Sequence, residues 1–91
     1  MGWARGRRPP SSLHWRDLIR ILEQLGAEYL GDKGDHKRYR LVWEGRAYPI
    51  TVPTYKDISG DLLASIIHQS GVPKRAFWEV YFDLESAREI Q

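Results

Sequence analysis

Cysteine is absent from this 91-residue chain. That absence removes disulfides, thiolate metal sites and cysteine nucleophiles together. A small domain without disulfides is typical of a reducing compartment. Long apolar runs are missing too: nothing approaches the length of a bilayer span, and no stretch resembles a signal-peptide core. The expectation is a soluble, cytoplasmic protein with no membrane role. Only three histidines occur, His14, His36 and His68, and they are scattered. No spacing among them resembles a zinc motif, and the acids are too dispersed for a two-metal nuclease. A phosphate-binding glycine loop and a nucleophile elbow are also lacking. We therefore expect neither metal nor cofactor.

What the chain does have is charge of both signs, unevenly spread, and many aromatics. Four Trp, five Tyr and two Phe are numerous for one small domain with a single modest core. The net charge is only +2. Residues 1–10 nevertheless carry Arg5, Arg7 and Arg8 with no acid. Residues 33–46 hold Lys33, Lys37, Arg38, Arg40 and Arg46 against Asp35 and Glu44. Residues 76–91 hold Glu79, Asp83, Glu85 and Glu89 against Arg88. Such segregation points to one face for an anion and an acidic end kept away from it.

Residues 1–10 read as a flexible basic arm, with Trp3 an odd aromatic in it, and residues 11–91 as one domain. Ser11 or Ser12 is placed to cap a helix from Leu13 to Leu25, whose stripe is Trp15, Leu18, Leu22 and Leu25, flanked by Ile19 and Ile21. Gly26 ends it. Ala27 to Leu30 reads as a short strand, followed by a turn over Gly31-Asp32-Lys33-Gly34. From His36 to Trp43 the pattern alternates: Tyr39, Leu41 and Trp43 face one way, and His36, Arg38 and Arg40 the other. Glu44-Gly45 reads as a hairpin turn. The returning strand turns Tyr48, Ile50 and Val52 inward, and Pro49 marks it as an edge. A loop from Pro53 to Ile58 leads to a helix capped by Ser59, with Leu62, Leu63, Ile66 and Ile67 as its buried face. Gly71 ends that helix and Pro73 opens a third, with Phe77, Val80, Tyr81 and Leu84 as its stripe. The expected fold class is α+β: α-β-β-β-α with a three-stranded antiparallel sheet, helices on one face, and a short extra C-terminal helix.

The richest chemistry lies in Lys33-Gly34-Asp35-His36-Lys37-Arg38-Tyr39-Arg40. Histidine passes protons near neutral pH. Lys33, Lys37, Arg38 and Arg40 around it draw a polyanion to the same place. Proton transfer beside bound phosphate is what RNA cleavage requires, so His36 is the candidate general acid–base and the four cations are candidate RNA contacts. Arg38 and Arg40 share the parity of His36, whereas an unbulged strand turns Lys37 to the other face. Tyr39 alternates with Leu41 and Trp43 as core residues do, base stacking being the alternative for its ring. His14 and His68 read as surface residues.

These residues resemble the HicA-type toxins, small RNases of toxin–antitoxin pairs. The likeness runs from about Leu13 to Val80. It rests on Leu18-Ile19-x-x-Leu22-x-x-x-Gly26, Lys33-Gly34-Asp35-His36-x-x-Tyr39, Thr51-Val52-Pro53, and Gly60-x-Leu62-x-x-x-Ile66 followed by Gly71. The resemblance implies a double-stranded-RNA-binding-domain-like fold and metal-independent cleavage of mRNA. It also implies inhibition by a HicB-type antitoxin. The family's catalytic histidine falls on His36 and its motif glycine on Gly34. The chain departs from the pattern at Asp35, where the family usually has Ser, at Tyr55, often His, and at Asp61, commonly Thr. A carboxylate at position 35 has two opposed effects: it orients the imidazole and it repels phosphate. Two other readings stand beside the endoribonuclease. One is a non-catalytic RNA-binding module of the same fold. The other is a catalytically dead antitoxin-binding protein, which the acidic aromatic segment Phe77 to Glu89 would serve. Monomer and homodimer fit the chain equally.

Overall fold

The computed structural model describes residues 8–90, with side chains to residue 88. Most of the basic arm expected over residues 1–10, Trp3 included, lies outside the described residues.

The chain starts with a difference from the sequence expectation. Ser12–Leu13 do not begin a helix; they form a two-residue strand, β1, antiparallel to a second short strand, β5, at Ile58–Ser59. Pairing with a distant segment overrides the local capping signal of the serines. Helix α1 therefore runs over Trp15–Gln24, and His14 takes the cap position, its Nδ1 accepting from the Arg16 N–H at 3.1 Å. Leu18, Ile19, Ile21 and Leu22 are buried along α1, as the 3.6-residue period requires. The helix closes in a Schellman motif: Ala27 N–H donates to the Leu22 carbonyl and Gly26 N–H to that of Glu23. Gly26 supplies the left-handed backbone, φ +98°.

Strands β2 (Glu28–Lys33), β3 (His36–Trp43) and β4 (Arg46–Pro53) form one antiparallel sheet in the order β2-β3-β4. The β2 strand runs three residues beyond the expected Leu30, because Gly31 is absorbed by a bulge instead of turning the chain. Tyr29 pairs with Tyr39 and Gly31 with Arg38, leaving Leu30 unpaired. Since side chains alternate with period two, one unpaired residue reverses the parity of all that follows. Lys33 thereby lands opposite His36 and Asp32 opposite Lys37. The turn itself is the two-residue Gly34-Asp35. The Glu44-Gly45 turn is as expected, with positive φ at both residues, the type I′ signature.

The β4 strand is an edge, and its exposed backbone is managed. Pro49 has no N–H to leave unpaired, and the Thr51 N–H donates to Gln69 Oε1 at 3.4 Å.

Helices α2 (Gly60–Gln69) and α3 (Lys74–Ile90) complete the core. Ser59 occupies the cap position of α2, but its side chain makes no capping hydrogen bond. The buried row is Leu63, Ile66, Ile67 and Ser70, and the expected Leu62 is exposed. The stripe sits one position further round the helix because Ser70 completes it. The Ser70 hydroxyl is satisfied inside, donating to Ile67 O at 2.6 Å and accepting from Val72 N–H at 3.1 Å.

On α3 the buried side chains are Phe77, Trp78 and Phe82, with Val80, Tyr81 and Leu84 only half-buried. Trp78 and Phe82 join because the aromatics pack edge-to-face on their neighbours, Phe77 on Trp78 at 5.0 Å and Trp78 on Tyr81 at 5.5 Å. The Pro73 carbonyl accepts the first bond of α3, from Phe77 N–H. At 17 residues α3 is the longest of the three helices.

All core residues of the sheet, Tyr39, Leu41, Ile50 and Val52, face the helices. The opposite face stays open to solvent. The layout is α-β-β-β-α with one further helix, that of a double-stranded-RNA-binding domain.

Candidate active site

His36 is the first residue of the central strand, at the corner where the open face meets the Gly34-Asp35 turn. Gly34 has φ +62° and open space where a Cβ would stand. Its requirement is thus backbone conformation, at the first central position where a type II′ turn takes glycine. The turn is tied down from the far side of the sheet. The Asp35 carbonyl accepts from both Thr54 N–H, at 3.1 Å, and Thr54 Oγ1, at 2.8 Å. This position follows from the hairpin register: counting outward from Glu44-Gly45 pairs His36 with Pro53 and brings Asp35 to Thr54. Sequence reading passed over Thr54, although that count was available to it.

Nδ1 of His36 lies 2.9 Å from Oδ1 of Asp35. A carboxylate only accepts, so the Nδ1 position carries the proton and the neutral ring keeps its lone pair on Nε2. Of the two opposed effects of a carboxylate here, orientation of the imidazole is visible in the geometry. The His36 side chain is 41% exposed and that of Asp35 74%, so the pair is wet and its charge well screened.

The cations divide. Lys33 lies across the ladder from His36 on the open face, a place it owes to the bulge at Leu30. Arg38 follows on the same face between Gly31 and Thr51, two small neighbours that leave it uncovered. Neither Lys33 nor Arg38 has an ion-pair partner among the described residues. Arg40 continues the row, but Glu28 stands 3.8 Å away and offsets part of its charge.

Lys37 does not join them. It points to the helix side, where Nζ is 3.2 Å from both oxygens of Asp32 and sits over the rings of Trp15, at 5.4 Å, and Tyr29, at 5.8 Å. The Tyr29 hydroxyl donates to Asp32 at 2.6 Å. These bonds from Tyr29 and Lys37 hold the Asp32 carboxyl below its ordinary range. The same carboxylate pushes the Tyr29 phenol up. Lys37 is thus the hub of a clamp joining β2, β3 and α1.

Tyr39 is 4% exposed, so its ring is core and unavailable for stacking. Burial first, then the charges of Glu23 and Asp32, raise its phenol. His14 is spent on the α1 cap, and His68 lies on the exposed side of α2. Among the described residues no three His, Asp or Glu side chains are grouped to hold a metal ion. No helix among them is long and apolar enough to cross a membrane.

The chemistry available is therefore proton transfer at one imidazole of set orientation, beside cations strung along an open sheet. Residues 15–72 match the family model described as HicA toxin of bacterial toxin–antitoxin. No curated protein and no solved structure matches the chain.

Proposed function

Because this chain belongs to the HicA toxin family, we propose that it is a metal-independent endoribonuclease that cleaves mRNA through His36. The family is one of toxins from toxin–antitoxin systems, so a cognate antitoxin is its partner. A HicB-type protein is the antitoxin proposed here.

One observation carries the reading. A single imidazole, oriented through Nδ1 by Asp35, presents Nε2 next to uncovered cations on an open face. Nε2 takes the proton of a ribose 2′-OH, and the resulting oxygen attacks the adjacent phosphorus. The P–O5′ bond breaks and the departing oxygen takes a proton from solvent water, leaving a 2′,3′-cyclic phosphate on one fragment and a 5′-hydroxyl on the other, and the imidazolium later returns its proton to the solvent. The imidazolium formed is stabilised by Asp35. Lys33 and Arg38 neutralise charge that grows on the phosphoryl oxygens. The mRNA lies as a single strand over the sheet face, the duplex being poorly suited to in-line attack.

The test is cleavage of single-stranded RNA in EDTA, with the ends of the fragments identified. Cyclic phosphate and 5′-hydroxyl ends are expected. His36→Ala should lower the rate by about 10²–10⁴-fold, the usual value of positioned acid–base catalysis, with RNA binding retained. Equal cleavage by His36→Ala would refute the assignment. RNA retained but never cleaved by the native chain would make it a binding module. A neighbouring reading frame whose product suppresses cleavage supports the antitoxin proposal.

A further inference from the structure

Among the described residues, five large apolar or aromatic side chains are exposed: Tyr29, Leu30, Val42, Tyr55 and Leu62. Only two are aromatic. The Tyr29 ring, itself half exposed, is already engaged: its hydroxyl donates to Asp32, Lys37 Nζ lies 5.8 Å from its centroid and the tilted Tyr39 ring 5.4 Å away. Tyr55 is 47% exposed, and its side chain has no hydrogen bond or ring contact among the described residues.

The backbone beneath Tyr55 is anything but free. Thr54, just before it, is held twice by the Asp35 carbonyl. The Tyr55 carbonyl accepts from Trp15 N–H at 3.1 Å, which pins the loop to the start of α1. Two residues upstream, Pro53 is the ladder partner of His36. Ladder partners lie about 5 Å apart and each residue spans at most about 3.6 Å, so the Cα of Tyr55 is within about 12 Å of that of His36. A solvent-facing ring on a fixed backbone so near the reactive imidazole loses little freedom on gaining a planar partner.

We propose that Tyr55 is a nucleobase subsite, stacking on a base that adjoins the scissile phosphate. This rests on the ribonuclease reading and supplies what the cations lack. Lys33 and Arg38 hold the backbone of any RNA, whereas a stacking platform holds one nucleotide at a fixed offset from the reacting sugar. Stacking tolerates every base, because each has a π-face. The subsite thus sets register more than sequence.

The experiment measures the affinity of a single-stranded RNA 12-mer in a His36→Ala background, where the strand stays intact. Tyr55→Ala should raise Kd roughly 5- to 150-fold, the range for loss of one base–aromatic stack. Tyr55→Phe and Tyr55→Trp should bind like the parent. A 12-mer abasic throughout, with sugar and phosphate but no bases, should bind the parent more weakly and lose little more affinity on Tyr55→Ala. Unchanged binding by Tyr55→Ala overturns the subsite while leaving cleavage by the native chain untouched. Loss in Tyr55→Phe equal to that in Tyr55→Ala also overturns it, since the hydroxyl would then be the working group. Failure of the native chain to bind RNA removes both readings.

Discussion

Adjacent residues on one strand here have opposite jobs, and Lys37 and Arg38 show how. Lys37 is enclosed by Asp32, Trp15 and Tyr29, whereas Arg38 stands uncovered on the open face. Lys37→Ala should cost about 2 kcal/mol of stability, the sum of two weak cation–π contacts and a partly exposed ion pair, seen as a lower Tm. It should leave the salt dependence of RNA binding alone. Arg38→Ala should do the reverse: Tm holds, and the slope of log affinity against log salt flattens by about 0.7, one phosphate contact on a single strand. The alternation of the strand by itself tells these two residues apart, because parity is a property of the chain. That Lys37 has a carboxylate waiting for it, and Lys33 a place beside His36, was invisible. Both depend on the unpaired Leu30.

Among the elements, the junction between α2 and α3 is the most constrained. Gly71 has φ +74°, and a Cβ there would run into the ring of Tyr48 on β4. Gly71→Ala should therefore destabilise the fold by about 3 kcal/mol, combining left-handed strain with overpacking. Gly34→Ala, with the same sign of φ and empty space around it, should cost only about 1 kcal/mol. Urea unfolding of the two variants measures the contrast. In the sequence Gly71 reads as a helix stop and Gly34 as a turn residue, yet nothing in it ranked them. The ranking comes from what packs against each. The starts of α1 and the faces of α2 and α3 were displaced for a similar reason. Ser12 found a strand partner in Ser59, and Trp78 and Phe82 found neighbours that a single helical stripe does not foresee.

For the molecule as a whole, the clamp of Tyr29, Asp32 and Lys37 makes stability depend on pH at both extremes. The Asp32 carboxyl is held below its ordinary value, so ionised Asp32 favours the folded chain. That contribution is full above about pH 4 and is lost as pH falls through the lower folded-state value. The Tyr29 phenol is raised, so its neutral form is the favoured one. Its contribution is full below about pH 10 and is lost as pH rises through the folded-state value. Asp32→Asn should accordingly flatten the Tm profile between pH 2 and 5 and move the Tyr29 titration, followed in the ultraviolet, down toward the ordinary phenol range. A wild-type acid limb in the variant would assign that dependence to other carboxylates.

Composition, alternation and turn residues by themselves determined the α+β class, the three-stranded sheet, its β4 edge, and the side of β3 that carries His36 with Arg38 and Arg40. Each of these is local: a period of two or of 3.6, a glycine that tolerates positive φ, a proline with no N–H. Only the tertiary structure decided that Asp35 turns its carboxylate onto Nδ1 of His36, that Thr54 anchors that turn, and that Tyr55 rather than Tyr39 offers a free ring. The Asp35–Thr54 contact joins positions nineteen residues apart through the β3–β4 register, and it anchors the turn on which Asp35 meets His36. That geometry exists only once the sheet has closed.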